Sequence, residues 1–129
     1  MYDQAELAAA GSTGNNTHAG VHVGAGYEAV VFQFVVEAVG STPTVTWKVQ
    51  ASPDDPTTVA DAQANWYDVG YITDASDTIS QSTRSATAVG AQIAFLSNPI
   101  ARRYRRFRLV TSANTNVTYH CDIFRVAAH

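Results

Sequence analysis

Cysteine occurs once in this chain, at Cys121, which excludes an intrachain disulfide and any zinc site built from several thiolates. Charge is scarce as well. Only 15% of the 129 residues are charged, and a net charge of −3 offers no overall attraction to nucleic acid, so nucleic acid is not an expected partner. No run of residues approaches the roughly 18 apolar positions of a membrane-spanning helix, and no membrane partner is expected. The opening MYDQAELAAAG carries acids where an export signal carries lysine or arginine, and its apolar run is short. The expectation is a protein made and folded in the cytoplasm.

Catalytic patterns are missing too. There is no G-x-S-x-G elbow, no H-E-x-x-H and no P-loop, so neither an enzyme nor a cofactor is expected. Of the histidines, His18 and His22 are four residues apart, which on a strand separates them by about 13 Å, too far to share one ion. No metal site is expected from them. Cys121 shares parity with Val117, Tyr119 and Ile123, which reads as a small buried hydrophobe.

What is present is a strand vocabulary. Val, Thr, Ala and Ser dominate over Leu, Glu and Lys, and that mix favours strands over helices. In the stretch from Thr44 to Val69, Val45, Trp47, Val49 and Ala51 alternate with Thr44, Thr46, Lys48 and Gln50, the period of a half-buried strand. Ser52-Pro53-Asp54-Asp55-Pro56 stops it, because proline lacks a ladder N–H and Ser and Asp favour turns. After a polar loop, Trp66-Tyr67-Asp68-Val69 begins a strand able to return antiparallel beside the first.

Around this stretch, residues 1–20 read as a flexible N-terminal arm, either disordered or ordering against a neighbouring subunit. Residues 21–129 read as the globular domain. His18 to Val23 suggests a first short strand, and Tyr27 to Val39 a long one with Phe32, Phe34, Val36 and Ala38 facing the core. Thr78 to Val89 suggests short edge strands, and Gln92 to Leu96 another strand. Arg102 to Thr111 and Asn116 to Val126, separated by Ser112 to Thr115, read as a C-terminal hairpin. Seven or eight strands and no long helix predict an all-β chain folded as a single antiparallel β-sandwich, jelly roll or immunoglobulin-like, with an extended N-terminal arm.

Three groups are candidate working surfaces. Arg102, Arg103, Arg105, Arg106 and Arg108 fall within seven residues, with Arg106 and Arg108 directed outward by alternation. The cluster is a solvated face with ion pairs to residues such as Asp68 or Asp122, a docking patch for an acidic protein surface, or a weak nucleic-acid site. Phe124 and Val126 lie on the face of the last strand expected to be wet, where a loop, the arm or another subunit covers them. Asp54, Asp55 and Asp61 in the loop read first as turn-capping groups, with a calcium-stabilised loop as the sharper alternative.

The combination TWKVQASPDD at 46–55, WYDV at 66–69 and RRYRRFRLVT at 102–111 resembles a group of small β-sandwich capsid decoration, or cement, proteins of tailed bacteriophages. The likeness covers residues 40–127. It implies a structural virion protein on the capsid surface, made in the host cytoplasm, with the major capsid protein as partner and a homotrimer as the favoured assembly. On that resemblance Tyr2 and Leu7 in the arm, the arginine cluster, and Phe124 with Val126 are the implied contacts to shell or neighbour. The rival expectation is a carbohydrate-binding or host-adhesion module, in which Trp66, Tyr67, Tyr71 and Asp68 stack and hold a sugar.

Overall fold

The computed structural model describes residues 2–23, 27–55, 57–69, 72–73, 83–97 and 104–127. They contain eight strands: β1 (Tyr2–Ser12), β2 (Val21–His22), β3 (Tyr27–Ser52), β4 (Tyr67–Asp68), β5 (Ile72–Thr73), β6 (Thr83–Ala86), β7 (Gly90–Ser97) and β8 (Arg106–Ala127). All pairings are antiparallel and join one sheet in the order β1-β8-β3-β7-β5, with β2 on β8, and β4 and β6 on β3. The chain is therefore all-β, as its composition predicts, and no helix occurs among the described residues.

The frame is the pairing of β3 with β8, which runs from Tyr27↔Ala127 to Ser52↔Arg106. This ribbon is not straight. Phe34 and Trp47 are 13 positions apart on β3, about 43 Å along an extended strand, yet their rings stack at 5.0 Å with planes 6° apart. Phe32 likewise meets Phe107 at 5.6 Å. The ribbon doubles back, so the half holding 27–39 and 117–127 (the first half) faces the half holding 44–52 and 106–115 (the second half).

Local chemistry makes the bend. Register shifts fall between Val36 and Ala38 and between Val39 and Thr46, and three non-glycine residues take positive φ: Thr42 at 46°, Ala113 at 50° and Asn116 at 55°. Such angles are uncommon, especially for a β-branched residue. The Asn116 side-chain amide donates to the Ser41 carbonyl at 2.7 Å, and the Asn114 carboxamide oxygen accepts from the Val117 N–H at 3.1 Å. A Cβ on Gly40 would sit 3.0 Å from the Asn116 Cβ, so the close crossing there suits glycine.

The bend also resets the parity of β3. Val30, Phe32, Phe34 and Val36 point inward before it, whereas Val45, Trp47, Val49 and Ala51 do so after it. On β8 the odd positions face the core on both sides of the bend, Phe107 and Leu109 before it and Val117, Tyr119, Cys121 and Ile123 after it. Burial raises the Cys121 thiol pKa far above its ordinary value.

Three expectations need correction. The C-terminal residues form no hairpin: the segments either side of 112–115 pair with β3 and not with each other, because the intervening residues form the bend. Ala38 is exposed, since the register shift beside it turns it out of the core. Nor are residues 1–20 a separate arm. β1 pairs with β8 from Tyr2↔Val126 to Ser12↔Tyr119, and Leu7 and Ala8 are buried in the core. Thr17 then bridges Val110, and the His18 N–H donates to the Leu109 carbonyl at 2.9 Å. The free edge of β8 offers an unpaired ladder to both segments, which supplies the partner that a short Ala-rich segment lacks on its own.

Candidate functional site

Each half of the sheet has one face in the core and one turned away from it. The two outward faces differ completely. On the second half, the loop 53–66 lies over the sheet and is tied down by its own acids. The Asp54 carboxylate accepts from the Asn65 N–H at 2.6 Å. The Asp55 carboxylate accepts from the Thr57 N–H at 2.9 Å and its hydroxyl at 2.8 Å, bonds that lower its pKa, and Arg105 approaches at 3.5 Å. Asp61 does most. Its carbonyl accepts from Trp66 Nε1 at 2.9 Å, and its carboxylate accepts from the Gly20 N–H at 2.7 Å and pairs with Arg106 Nη1 at 2.9 Å.

Trp66 closes the arrangement from above. Its ring lies 4.1 Å from the Arg108 guanidinium carbon and 5.5 Å from that of Arg106, in cation–π range. A Cβ on Gly20 would come within 2.9 Å of both the Trp66 ring and the Asp61 carboxylate, so the loop approaches the backbone where no side chain intervenes. Arg108 Nε donates to the Gln50 side-chain oxygen at 2.8 Å, and desolvation lowers the arginine's pKa.

These contacts change the reading of the arginine cluster. The Arg106 side chain is 3% exposed, so it is buried and not part of an outward docking patch. Alternation correctly sends it away from the core, but the loop covers that side. Arg108 is held under Trp66, Arg105 is exposed, and Arg102 and Arg103 lie outside the described residues. Among the described residues, neither acid named as an ion-pair partner for the cluster pairs with one of its arginines. Asp68 binds Gln50 Nε2 at 2.9 Å and Lys48 Nζ at 3.1 Å, which lower its pKa in that order.

The same geometry engages one member of the expected stacking platform, Trp66. Trp47 is fully buried and donates its indole N–H to Gln92 Oε1 at 2.7 Å, while Arg108 occupies the face of Trp66. Tyr67 is 53% exposed, and Tyr71 lies outside the described residues.

Among the described residues no loop covers the outward face of the first half. Its register aligns residues in rows across four strands: Glu6, Asp122, Gln33 and Ile93 in one, and Gln4, Phe124, Val31 and Phe95 in the next. Tyr2 and Val126 stand opposite each other in the row beyond. Val31, Gln33, Ile93, Phe124 and Val126 line a shallow groove of about 270 Å³. Phe124 and Val126 thus stand on the wet face, as alternation expects, whereas Leu7 belongs to the protein's own core. Val31, Gln33, Ile93 and Glu6 are additions that sequence reasoning missed. The signal for Val31 was available, since the face of Tyr27–Val39 opposite the core carries Val31 and Val35 where polar residues are usual.

Between the two halves lies a polar seam on Tyr119. Its hydroxyl sits 2.8 Å from His18 Nε2, 2.9 Å from Thr111 Oγ1 and 3.2 Å from Asn16 Nδ2. Burial lowers the His18 pKa, so the ring is held toward its neutral form.

No family model matches the chain, and no curated protein matches it in sequence. Among solved structures, the fold is similar to that of the SPBc2 prophage-derived protein YomS, with a TM-score of 0.64 at 10% identity. The match covers 97% of this chain and 93% of that one, so the likeness is one of whole fold.

Proposed function

We propose that this chain is a structural accessory protein of a tailed-phage particle, one that docks on the outer surface of the capsid and reinforces it without catalysis. The observation that carries the reading is the outward face of the first half, over which no loop lies among the described residues and where Val31, Ile93, Phe124 and Val126 form an apolar patch on a sheet whose other outward face is covered by its own loop. Such a patch marks a contact surface. The fold-level likeness to a prophage-derived protein supports a phage setting. We read the doubled sheet as a β-sandwich whose two layers are halves of one sheet. We further read the protein as grouped in threes over junctions of the shell, where weak contacts repeated on a lattice gain strength through avidity.

The test is a heat challenge of particles made with and without the chain, together with mass spectrometry of washed particles. Stoichiometric retention of the chain, and DNA release at a higher temperature when it is present, are expected. Equal release from both preparations and no chain on washed particles would dismiss the capsid role.

A further inference from the structure

The bare face has a charge of its own. Glu6 and Asp122 stand directly opposite each other on β1 and β8, with Gln33 and Ile93 completing their row. Like charges directly opposed across a ladder destabilise it unless a cation is near. Among the described residues neither carboxylate takes part in a salt bridge, although Lys48, Arg105 and Arg106 each pair with an acid of the other half. Glu37, another acid on β3 in this half, is engaged by the Gly11 N–H at 2.7 Å and lies 3.6 Å from His120 Nδ1.

The chain therefore pairs Asp55, Asp61 and Asp68 of its covered half with cations, whereas among the described residues Glu6 and Asp122 stand in no salt bridge beside its apolar groove. We infer that this face receives a protein surface presenting an apolar side chain flanked by arginine or lysine, with Glu6 and Asp122 choosing the basic partner and Val31, Ile93, Phe124 and Val126 taking the apolar one. The assignment rests on the capsid reading above, and the occupant is then a basic-rimmed site on the shell. It reverses the sign expected from the arginine cluster, which implied an acidic partner. A carboxylate pair of this kind contributes to specificity and on-rate, and its contribution weakens with salt.

Two double variants with matched charge separate this surface from a net-charge effect. Glu6→Gln with Asp122→Asn removes two carboxylates, and Ala62→Lys with Gln63→Lys adds two ammonium groups on the exposed loop of the covered half, so each takes the net charge from −3 to −1. Purified full-length chains, checked for unchanged melting temperature, are titrated onto particles made without the chain and followed by cosedimentation at low and high salt. The expected result is at least a tenfold loss of affinity and a flattened salt dependence for the Glu6/Asp122 variant, near-native binding for the loop variant, and loss of binding for Ile93→Lys. If wild type binds and the Glu6/Asp122 variant binds equally well, the assignment of this face is overturned while the capsid role stands. No binding by wild type overturns both. Concentration-dependent self-association of the free chain, abolished by Ile93→Lys, would overturn the assignment in favour of a second copy as occupant.

Discussion

The two outward faces of this sheet are built around the same two long strands, β3 and β8, yet one is covered by a loop and the other, among the described residues, is not. On the second half, Trp66 and Asp61 cover Arg106 and Arg108. On the first half, Phe124, Val126, Val31 and Ile93 have no loop above them among the described residues. What differs is the insertion between strands: β3 and β4 are separated by the loop 53–66, which folds back over the half from which it springs. Two arginines of a conspicuous cluster, Arg106 and Arg108, are thereby turned into internal structure, and the apolar groove lies on the plainer face.

The most severe way to break that difference is to unseal the covered face. Asp61→Ala leaves the Arg106 guanidinium buried without its carboxylate, and removing one partner of a buried pair costs about 3 kcal/mol or more. The low end is expected, because the Asp61 side chain is 39% exposed and water can reach the vacated position. Urea unfolding should show the lowered midpoint, and adding Arg106→Met should recover most of it. If the single variant lost less than about 0.5 kcal/mol, within the usual range of an uncomplicated surface change, the loop would not be sealed through this pair.

Trp66→Ala should cost less, about 2 kcal/mol, from lost packing and the cation–π contact. Its signature is local: faster amide exchange at Thr57, Thr58 and Gln63 in the loop, with the bare half unchanged. Ile93→Ser provides the contrast. Ile93 is 36% exposed and lies beneath no loop among the described residues, so its replacement should cost under about 1 kcal/mol and leave loop exchange as it was. Equal effects of the two substitutions on the loop would erase the distinction between the faces.

Much of this fold was legible in the sequence, and the failures have one cause. Alternation placed Trp47, Val49, Phe107 and Leu109 in the core and Phe124 and Val126 outside it, because parity is a property of neighbouring residues on one strand. It could not tell that the residues around Ser41 and Ala113 bend one continuous ribbon instead of ending strands, since turn-favouring residues serve both purposes. Nor does parity reveal what lies beyond a face. Arg106 points away from the core as expected, and only the path of a loop 45 positions distant buries it. The same limit hid the open site, whose rows assemble Glu6, Asp122, Gln33 and Ile93 from four strands.

The seam between the halves responds to acid in a defined direction. Burial holds the His18 pKa below its ordinary 6.5, so the unfolded chain takes up this proton at a higher pH than the folded one. Stability contributed by the neutral ring is thus complete above about pH 6.5 and declines as pH falls, until the folded-state pKa is passed. Melting temperature followed from pH 7.5 to 5 should drop for wild type and drop less for His18→Gln. An unchanged slope in the variant would remove His18 from the seam.

The smallest expected effect is the most pointed test of the open face. Glu6→Gln relieves the repulsion with Asp122 and should stabilise the isolated chain by about 0.3 kcal/mol at low ionic strength. The gain should vanish near 1 M salt, where the screening length is about 3 Å. A stabilising substitution that weakens binding is the mark of a residue kept for its partner at the expense of the fold. If Glu6→Gln instead destabilised the free chain, Glu6 would have an internal counterion, and both outward faces would be neutralised from within.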